Sequence, residues 1–276
     1  MTRPARRLVR RLRGVRDETS LPTPPPVDPE TWAQIAGAGV IGATGGSGTR
    51  VLARIVLRGG MFIGSDRNRS EDALDFAAFS DRWVDEAVAG RRPPEMTAEL
   101  RALVARQWAG RDGERPWGWK EPRSVYLLPF LAEELQGLRF LHVVRDGRDM
   151  AYSDNQVQLR KHGAAVLGVG DEPAPLRSIS LWSEVNLRAA DFGERELGER
   201  YVRVRFEDLC AEPSAVTEQV LGFFGLDGDA EAIARDEVRP PSSLGRWRGE
   251  DPAAVAELEA RGGEALRRFG YQSSSE

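Results

Sequence analysis

The sequence predicts a three-layer α/β domain on a central, mainly parallel sheet. Short apolar segments at 38–41 and 140–144, and the alternating "RYVRVRF" at 200–206, have strand character. Each is followed by a stretch with helical spacing, and strands that alternate with helices pack as parallel neighbours covered on both faces. Two of the strand ends run into loops, 42–49 and 145–149, which carry the glycines and charges that ligand sites collect at the carboxyl edge of such sheets.

Taken in order, seven arginines in the first sixteen residues and the proline run "TSLPTPPPVDPE" predict a basic tail and extended linker over 1–31. Residues 32–276 are expected to form one domain with helical insertions, starting near Trp32. Segment 38–41 is a buried strand. Segment 49–57 is a helix with Val51, Leu52, Ile55 and Val56 on one face. Segment 66–83 is polar at first, then helical through Leu74, Phe76, Phe79 and Trp83. "MTAELRALVARQWAG" continues as helix, and "PWGWKEPRSVYLLPFLAEEL" reads as a loop entering a helix after Pro122. The run 140–144 is of the buried parallel-strand type, turned by Asp146 and Gly147, with helix from Asp149. "KHGAAVLGVGDEPAP" reads as a mobile loop or lid, 181–197 as a helix, and "PSAVTEQVLGFFGL" as an amphipathic helix.

The balance of 39 basic and 43 acidic residues, net charge -4, argues against a general polyanion binder, so no nucleic-acid partner is expected. One cysteine excludes an internal disulfide and a cysteine-rich zinc site and fits a reducing, cytoplasmic setting. Two histidines leave little for a histidine-built metal centre. No apolar run reaches the roughly 18 residues that span a bilayer. The basic tail offers at most a peripheral contact with an acidic membrane surface.

"GATGGSGTR", residues 42–50, aims backbone N–H groups and a helix N-terminus at an anion. Three readings compete. Gly37, Gly39 and Gly42 satisfy G-x-G-x-x-G, and Asp66 lies where a ribose-binding acid would, which suggests a nicotinamide-dependent reductase. That pattern does not open a helix directly after its strand, and the chain lacks the tyrosine–lysine pair of such enzymes. An ATP-type phosphotransferase needs a lysine before Thr49, where this chain has Gly48.

The third reading takes in the later motifs. "GGSGTR", "KEPRS", "FLHVVRDGRDMAYS", "VRVRFEDL" with "EQVLGFFGL", and "GRWR", in this order and spacing, resemble the sulfotransferase superfamily that uses 3'-phosphoadenosine 5'-phosphosulfate (PAPS). The resemblance runs from about Val40 to Trp247. It implies a P-loop-like α/β fold, PAPS as donor, its bisphosphate (PAP) as product and no metal. It assigns Gly45, Gly46, Ser47, Gly48, Thr49 and Arg50 to the 5'-phosphosulfate, and Arg145, Ser153 and Arg246 to the 3'-phosphate. Many members carry Lys or Arg where this chain has Gly46, and the resemblance then leaves Lys120 and Arg50 to carry the charge at the leaving group. The acceptor's base falls to Glu71 or Asp72, with Asp66 next; a helix cap at Ser70 is the competing reading of that acidic turn. Arg123 anchors its loop, His142 packs in the core, and His162 is the histidine better placed toward an acceptor. The implied acceptor is a hydroxyl or amine of a small metabolite, lipid or carbohydrate. A catalytically silent nucleotide-binding relative is the nonenzymatic alternative.

Overall fold

The computed structural model describes residues 27–272; the basic tail and most of the proline-rich linker lie outside them. Helix α1 (Pro29–Gln34) opens the described chain, with the Asp28 carboxylate accepting from the Thr31 N–H at 2.9 Å as its cap. Then come β1 (Gly39–Ala43), α2 (Thr49–Arg58), α3 (Leu74–Val88), α4 (Pro94–Ala109) and the short β2 (Gly118–Lys120). A 3₁₀ turn (Pro122–Val125) leads into α5 (Leu128–Glu134), β3 (Arg139–Val144), α6 (Gly147–Ala151), α7 (Val157–Leu167) and α8 (Ala174–Phe192). A π-helical turn (Gly193–Leu197) precedes β4 (Tyr201–Arg205). The chain ends through α9 (Phe206–Ala211), α10 (Pro213–Phe224), α11 (Ala230–Glu237), a 3₁₀ turn (Arg246–Gly249) and α12 (Pro252–Arg268).

The four strands form one sheet in the order β2-β1-β3-β4, every pair parallel. Alternate residues of a strand point to opposite faces, and the core follows that period. Val40 and Phe140 pack with Phe76, Phe79, Leu100, Trp119, Phe130 and Val185 on one face. Ile41, Ala43, Leu141 and Val143 pack with Leu52, Ile55, Val220 and Phe224 on the other. Val144 belongs to a third cluster with Trp182, Leu258 and Phe269, which seats α12 against α8. Burial on both faces explains why the central strands read as continuous apolar runs.

Several expected boundaries move. The helix expected within 66–83 begins at Leu74, the first of its helically spaced residues, with Ala73 as its cap residue, so the competing cap at Ser70 caps no helix. Residues 66–73 are instead organised by Asn68, whose side-chain oxygen accepts the N–H groups of Ser70 (2.7 Å) and Asp72 (3.0 Å). The supposed loop around Trp119 contains β2, whose three residues are too few to show a period. Most of the expected lid is helical: α7 runs to Leu167 and α8 starts at Ala174, leaving a connection at 168–173.

Gly118 is a packing requirement, because a β-carbon there would lie 1.7 Å from the Gly39 carbonyl oxygen. Gly222, inside α10, has open space around the same position. Gly118→Ala is therefore expected to cost about 3 kcal/mol or more, while Gly222→Ala gains roughly 0.5–1 kcal/mol from helix propensity. Urea unfolding of the two variants against the wild type reads both signs.

Candidate active site

Three groups of side chains meet the carboxyl edge of the sheet. The first is the turn between β1 and α2. Gly46 and Gly48 have φ of 88° and 84°, the left-handed region that glycine enters without strain. A β-carbon on Gly48 would also sit 2.2 Å from the Phe206 ring. The Ser47 hydroxyl turns inward and donates to the Thr44 carbonyl at 2.7 Å. Among the described residues, the N–H groups of Gly45, Gly46 and Gly48 have no hydrogen-bond partner, which leaves free backbone donors at the N-terminus of α2. Thr49 is buried on the first turn of α2, and Arg50 is exposed beside it.

The second group stands on β3 and the segments that follow it. Arg145, at the strand's end, is 5% exposed; one guanidinium nitrogen donates to Asp149 (2.9 Å) and to the Ser243 carbonyl (2.6 Å). The other terminal nitrogen reaches the Gly46 carbonyl at 3.5 Å, and Nε is buried without a partner. Asp149 also accepts the N–H groups of Gly245 (2.8 Å) and Trp247 (3.3 Å), drawing the C-terminal segment over Arg145. Arg246 from that segment donates to the Tyr152 carbonyl at 3.1 Å, next to Ser153. A β-carbon on Gly46 would lie 3.8 Å from the Ser153 hydroxyl. Arg145, Ser153, Arg246 and the glycine turn are thus brought together. Arg148 turns away, pairing with Asp146 (2.8 Å) and stacking on Trp247.

The third group surrounds Lys120, the last residue of β2. Its side chain is 2% exposed; Nζ donates to the Ser70 carbonyl (2.9 Å) and forms an ion pair with Asp72. Burial pulls the ammonium's pKa below the ordinary lysine range, and Asp72 opposes that shift. Asn68 donates to the other Asp72 oxygen at 2.9 Å. Glu71 is the one described non-glycine residue at positive φ (62°), and its carboxylate is held by Arg67 at 3.0 Å with Arg54 at 3.8 Å. Asp72 is therefore joined to Lys120, and Glu71 is not. Asp66 is exposed.

Neighbouring polar residues build the frame. Glu121 is fully buried, with its pKa raised by burial and restrained by Arg123, and it accepts from Arg123 (2.9 Å) and Ser80 (2.9 Å). Arg123 also reaches Asp81 and the Ala77 carbonyl, tying the Lys120 segment to α3. Gln158 spans from Tyr126 (3.0 Å) to the Ala43 carbonyl (3.4 Å) beside the glycine turn. His142 packs between Tyr201 (2.7 Å) and Asn186 (2.8 Å), and Asn186 continues to Thr44 at 3.5 Å. His162 is fixed by Asp85 at 2.7 Å, and burial lowers its pKa. Glu207 holds the Asp146 N–H (2.9 Å) and the Tyr271 hydroxyl (2.9 Å). Trp119 stacks on Phe76 in the core.

Residues 45–230 match the family model described as "Sulfotransferase family". The chain belongs to the sulfotransferase family. Solved sulfotransferases share its fold. The sulfotransferase domain from the curacin biosynthetic pathway is 16% identical, with 86% of this chain and 99% of that one covered and a TM-score of 0.53. The corresponding domain of the Synechococcus PCC 7002 olefin synthase is 17% identical, with coverage of 86% and 95% and a TM-score of 0.52. Sulfotransferase STF9 from Mycobacterium avium is 13% identical, with coverage of 88% and 80% and a TM-score of 0.56. No curated protein matches the chain. Among the described residues of this sulfotransferase, no helix is long and apolar enough to cross a membrane.

Sequence reasoning missed Asp149, Ser243, Gln158 and Asn68. Only Asp149 left a signal, four residues after Arg145 and so on the next turn.

His142 gives a pH prediction. Burial lowers its pKa from 6.5 to about 4, against the hydrogen bond that its Nε2–H donates to the Asn186 side-chain oxygen. The unfolded chain takes that proton near 6.5 and the folded chain only near 4, so falling pH favours unfolding across the interval. Between pH 7 and pH 5 the wild type is expected to lose about 2 kcal/mol through this group. His142→Gln removes that contribution, which urea unfolding at the two pH values measures as a smaller difference.

Proposed function

We propose that this sulfotransferase moves a sulfuryl group from PAPS to a hydroxyl or amine of a small metabolite, lipid or carbohydrate, in the cytoplasm. The observation that carries the reading is a glycine turn with unbonded N–H groups, its Gly46 carbonyl 3.5 Å from Arg145, whose buried Nε has no hydrogen-bond partner among the described residues. That donor set suits one phosphate at a helix N-terminus and a second at a strand-end guanidinium. Gly45, Gly46, Ser47, Gly48, Thr49 and Arg50 would hold the 5'-phosphosulfate, and Arg145, Ser153 and Arg246 the 3'-phosphate. The donor supplies SO₃ on a phosphate oxygen.

The chain's own part is electrostatic and acid–base. Lys120 is the buried cation next to the turn, and its present partners are Asp72 and a carbonyl. Charge that grows on the leaving phosphate competes with Asp72 for the ammonium. As Lys120 turns toward it, Asp72 loses its counter-ion and becomes the stronger base for the acceptor's proton. Arg50, exposed on α2, adds positive charge at the rim. Glu71 stays with Arg67 and supports the turn that carries Asp72.

Calorimetric titration with adenosine 3',5'-bisphosphate tests the donor site. Tight binding is expected, weakened about 30- to 100-fold in Arg145→Ala, the cost of losing charge-assisted hydrogen bonds. Binding of NADPH or ATP in its place sinks the reading. Lys120→Ala is expected to lower donor turnover by about 100-fold or more while retaining bisphosphate binding. A bisphosphate binder with no turnover under any acceptor would instead be the silent relative.

A further inference from the structure

A feature that the reading of the donor site leaves unexplained lies at the opposite edge of the sheet from the glycine turn. There a cavity of about 400 Å³ is floored by Gly37 and Gly39 at the amino end of β1 and walled by Met61, Trp108, Trp117 and Phe224. Arg111, Arg115 and Arg139 line the same cavity. Most of the described arginines face a carboxylate, but among the described residues none of these three forms an ion pair. Glu114 also lines the cavity and pairs with none of them.

Each guanidinium is nevertheless held. Arg111 donates to the Trp108 carbonyl at 2.9 Å and lies over the Trp108 ring, 4.0 Å from its centre. Arg139 donates to the Phe223 carbonyl at 2.6 Å and stands 5.8 Å from the Phe223 ring centre. Arg115 donates to the Gly60 carbonyl. A guanidinium has five N–H donors, so one bond to a carbonyl orients each head and leaves a fork to bind with. Arg139 belongs to the β3 side of the cavity and Arg111 and Arg115 to the approach to β2. Like charges on both rims are mutually unfavourable until an anion lies between them.

We propose that this cavity binds a planar aromatic molecule carrying an oxyanion. The guanidinium forks match phosphate, sulfate or carboxylate, and the indoles and Phe224 offer flat or edge contacts to a ring. The volume falls within the range of small-molecule sites, about 300–1,000 Å³. The strand β1 separates the cavity from the glycine turn, so its ligand does not compete with one bound there, and the inference stands apart from the reading of the donor site.

The test is calorimetry on the full chain with 1-naphthyl phosphate, run with the glycine-turn site saturated by adenosine 3',5'-bisphosphate and again on Arg145→Ala. One-to-one binding is expected in both, weakened tenfold or more in Arg111→Gln and in Arg139→Gln. Inorganic phosphate and 1-naphthol, each lacking half of the probe, are expected to bind at least tenfold more weakly. Both arginines carry exposed surface, and Arg115→Gln gives a third variant should either fail to fold. Absent binding, equal affinity in the folded variants, or inorganic phosphate binding as tightly as the naphthyl ester each overturns the proposal.

Discussion

One buried carboxylate organises the arginine half of this site. The Asp149 side chain is fully shielded from solvent, a costly position for a charge unless it is paired and hydrogen-bonded. Its oxygens are used by Arg145 from the end of β3 and by the backbone of Gly245 and Trp247, almost one hundred residues later. The C-terminal segment is thereby drawn over the sheet edge, which brings Arg246 to Tyr152 and the Ser243 carbonyl to Arg145. Trp182 completes the enclosure by donating to the Arg145 carbonyl at 2.9 Å. Remove the carboxylate and Arg145 becomes a buried cation with neutral hydrogen-bond partners only, while the segment carrying Arg246 loses the two backbone bonds of Gly245 and Trp247.

The lysine half is built differently. There the cation comes from the end of a three-residue strand, and its carboxylate from an irregular turn. The turn keeps its shape through Asn68, which accepts two N–H groups with its side-chain oxygen and steadies Asp72 with its amide. Glu71 bears the strain of that turn at φ 62°, offset by its pair with Arg67. Glu121, Arg123 and Asp81 clamp the following segment to α3, so Lys120 has a rigid base but partners that it can exchange. Rigid support with exchangeable partners suits a group whose charge is needed only as a reaction proceeds.

Much of this was legible in the sequence, for identifiable reasons. The central strands announced themselves because burial on both faces leaves a run of apolar residues, as in 140–144. The glycine turn was legible because its backbone demands residues without side chains. Strand β2 was not, since three residues carry no period and its neighbours Pro116 and Pro122 read as loop. The polar start of 66–83 left a helix start at Ser70 open as a competing reading, because acidic residues before an apolar run are also what a helix start looks like. A local side-chain turn at Asn68 and tertiary bonds from Lys120 decide that segment, and the second is not visible from local composition. Asp149 was legible only as a charge in a charged motif; its partners at 243–247 lie too far along the chain for any local pattern to connect them.

Gly46 ties the two halves together. Its φ of 88° disfavours any side chain, and a β-carbon there would press on the Met150 methyl at 3.0 Å. A cation at this position, as many sulfotransferases carry, would therefore need a different turn or a different α6. In its place the backbone itself comes close to the arginine half, with the Gly46 carbonyl 3.5 Å from Arg145 and its N–H left without a partner. In the proposed reading the charge that such a loop lacks comes from separate elements: Lys120 at the end of β2, Arg145 just after β3 and Arg50 on α2. Dispersing three cations over three elements lowers their mutual repulsion and makes the electrostatics of the site a property of the sheet edge, whose register is set by β1 pairing with β2 and β3.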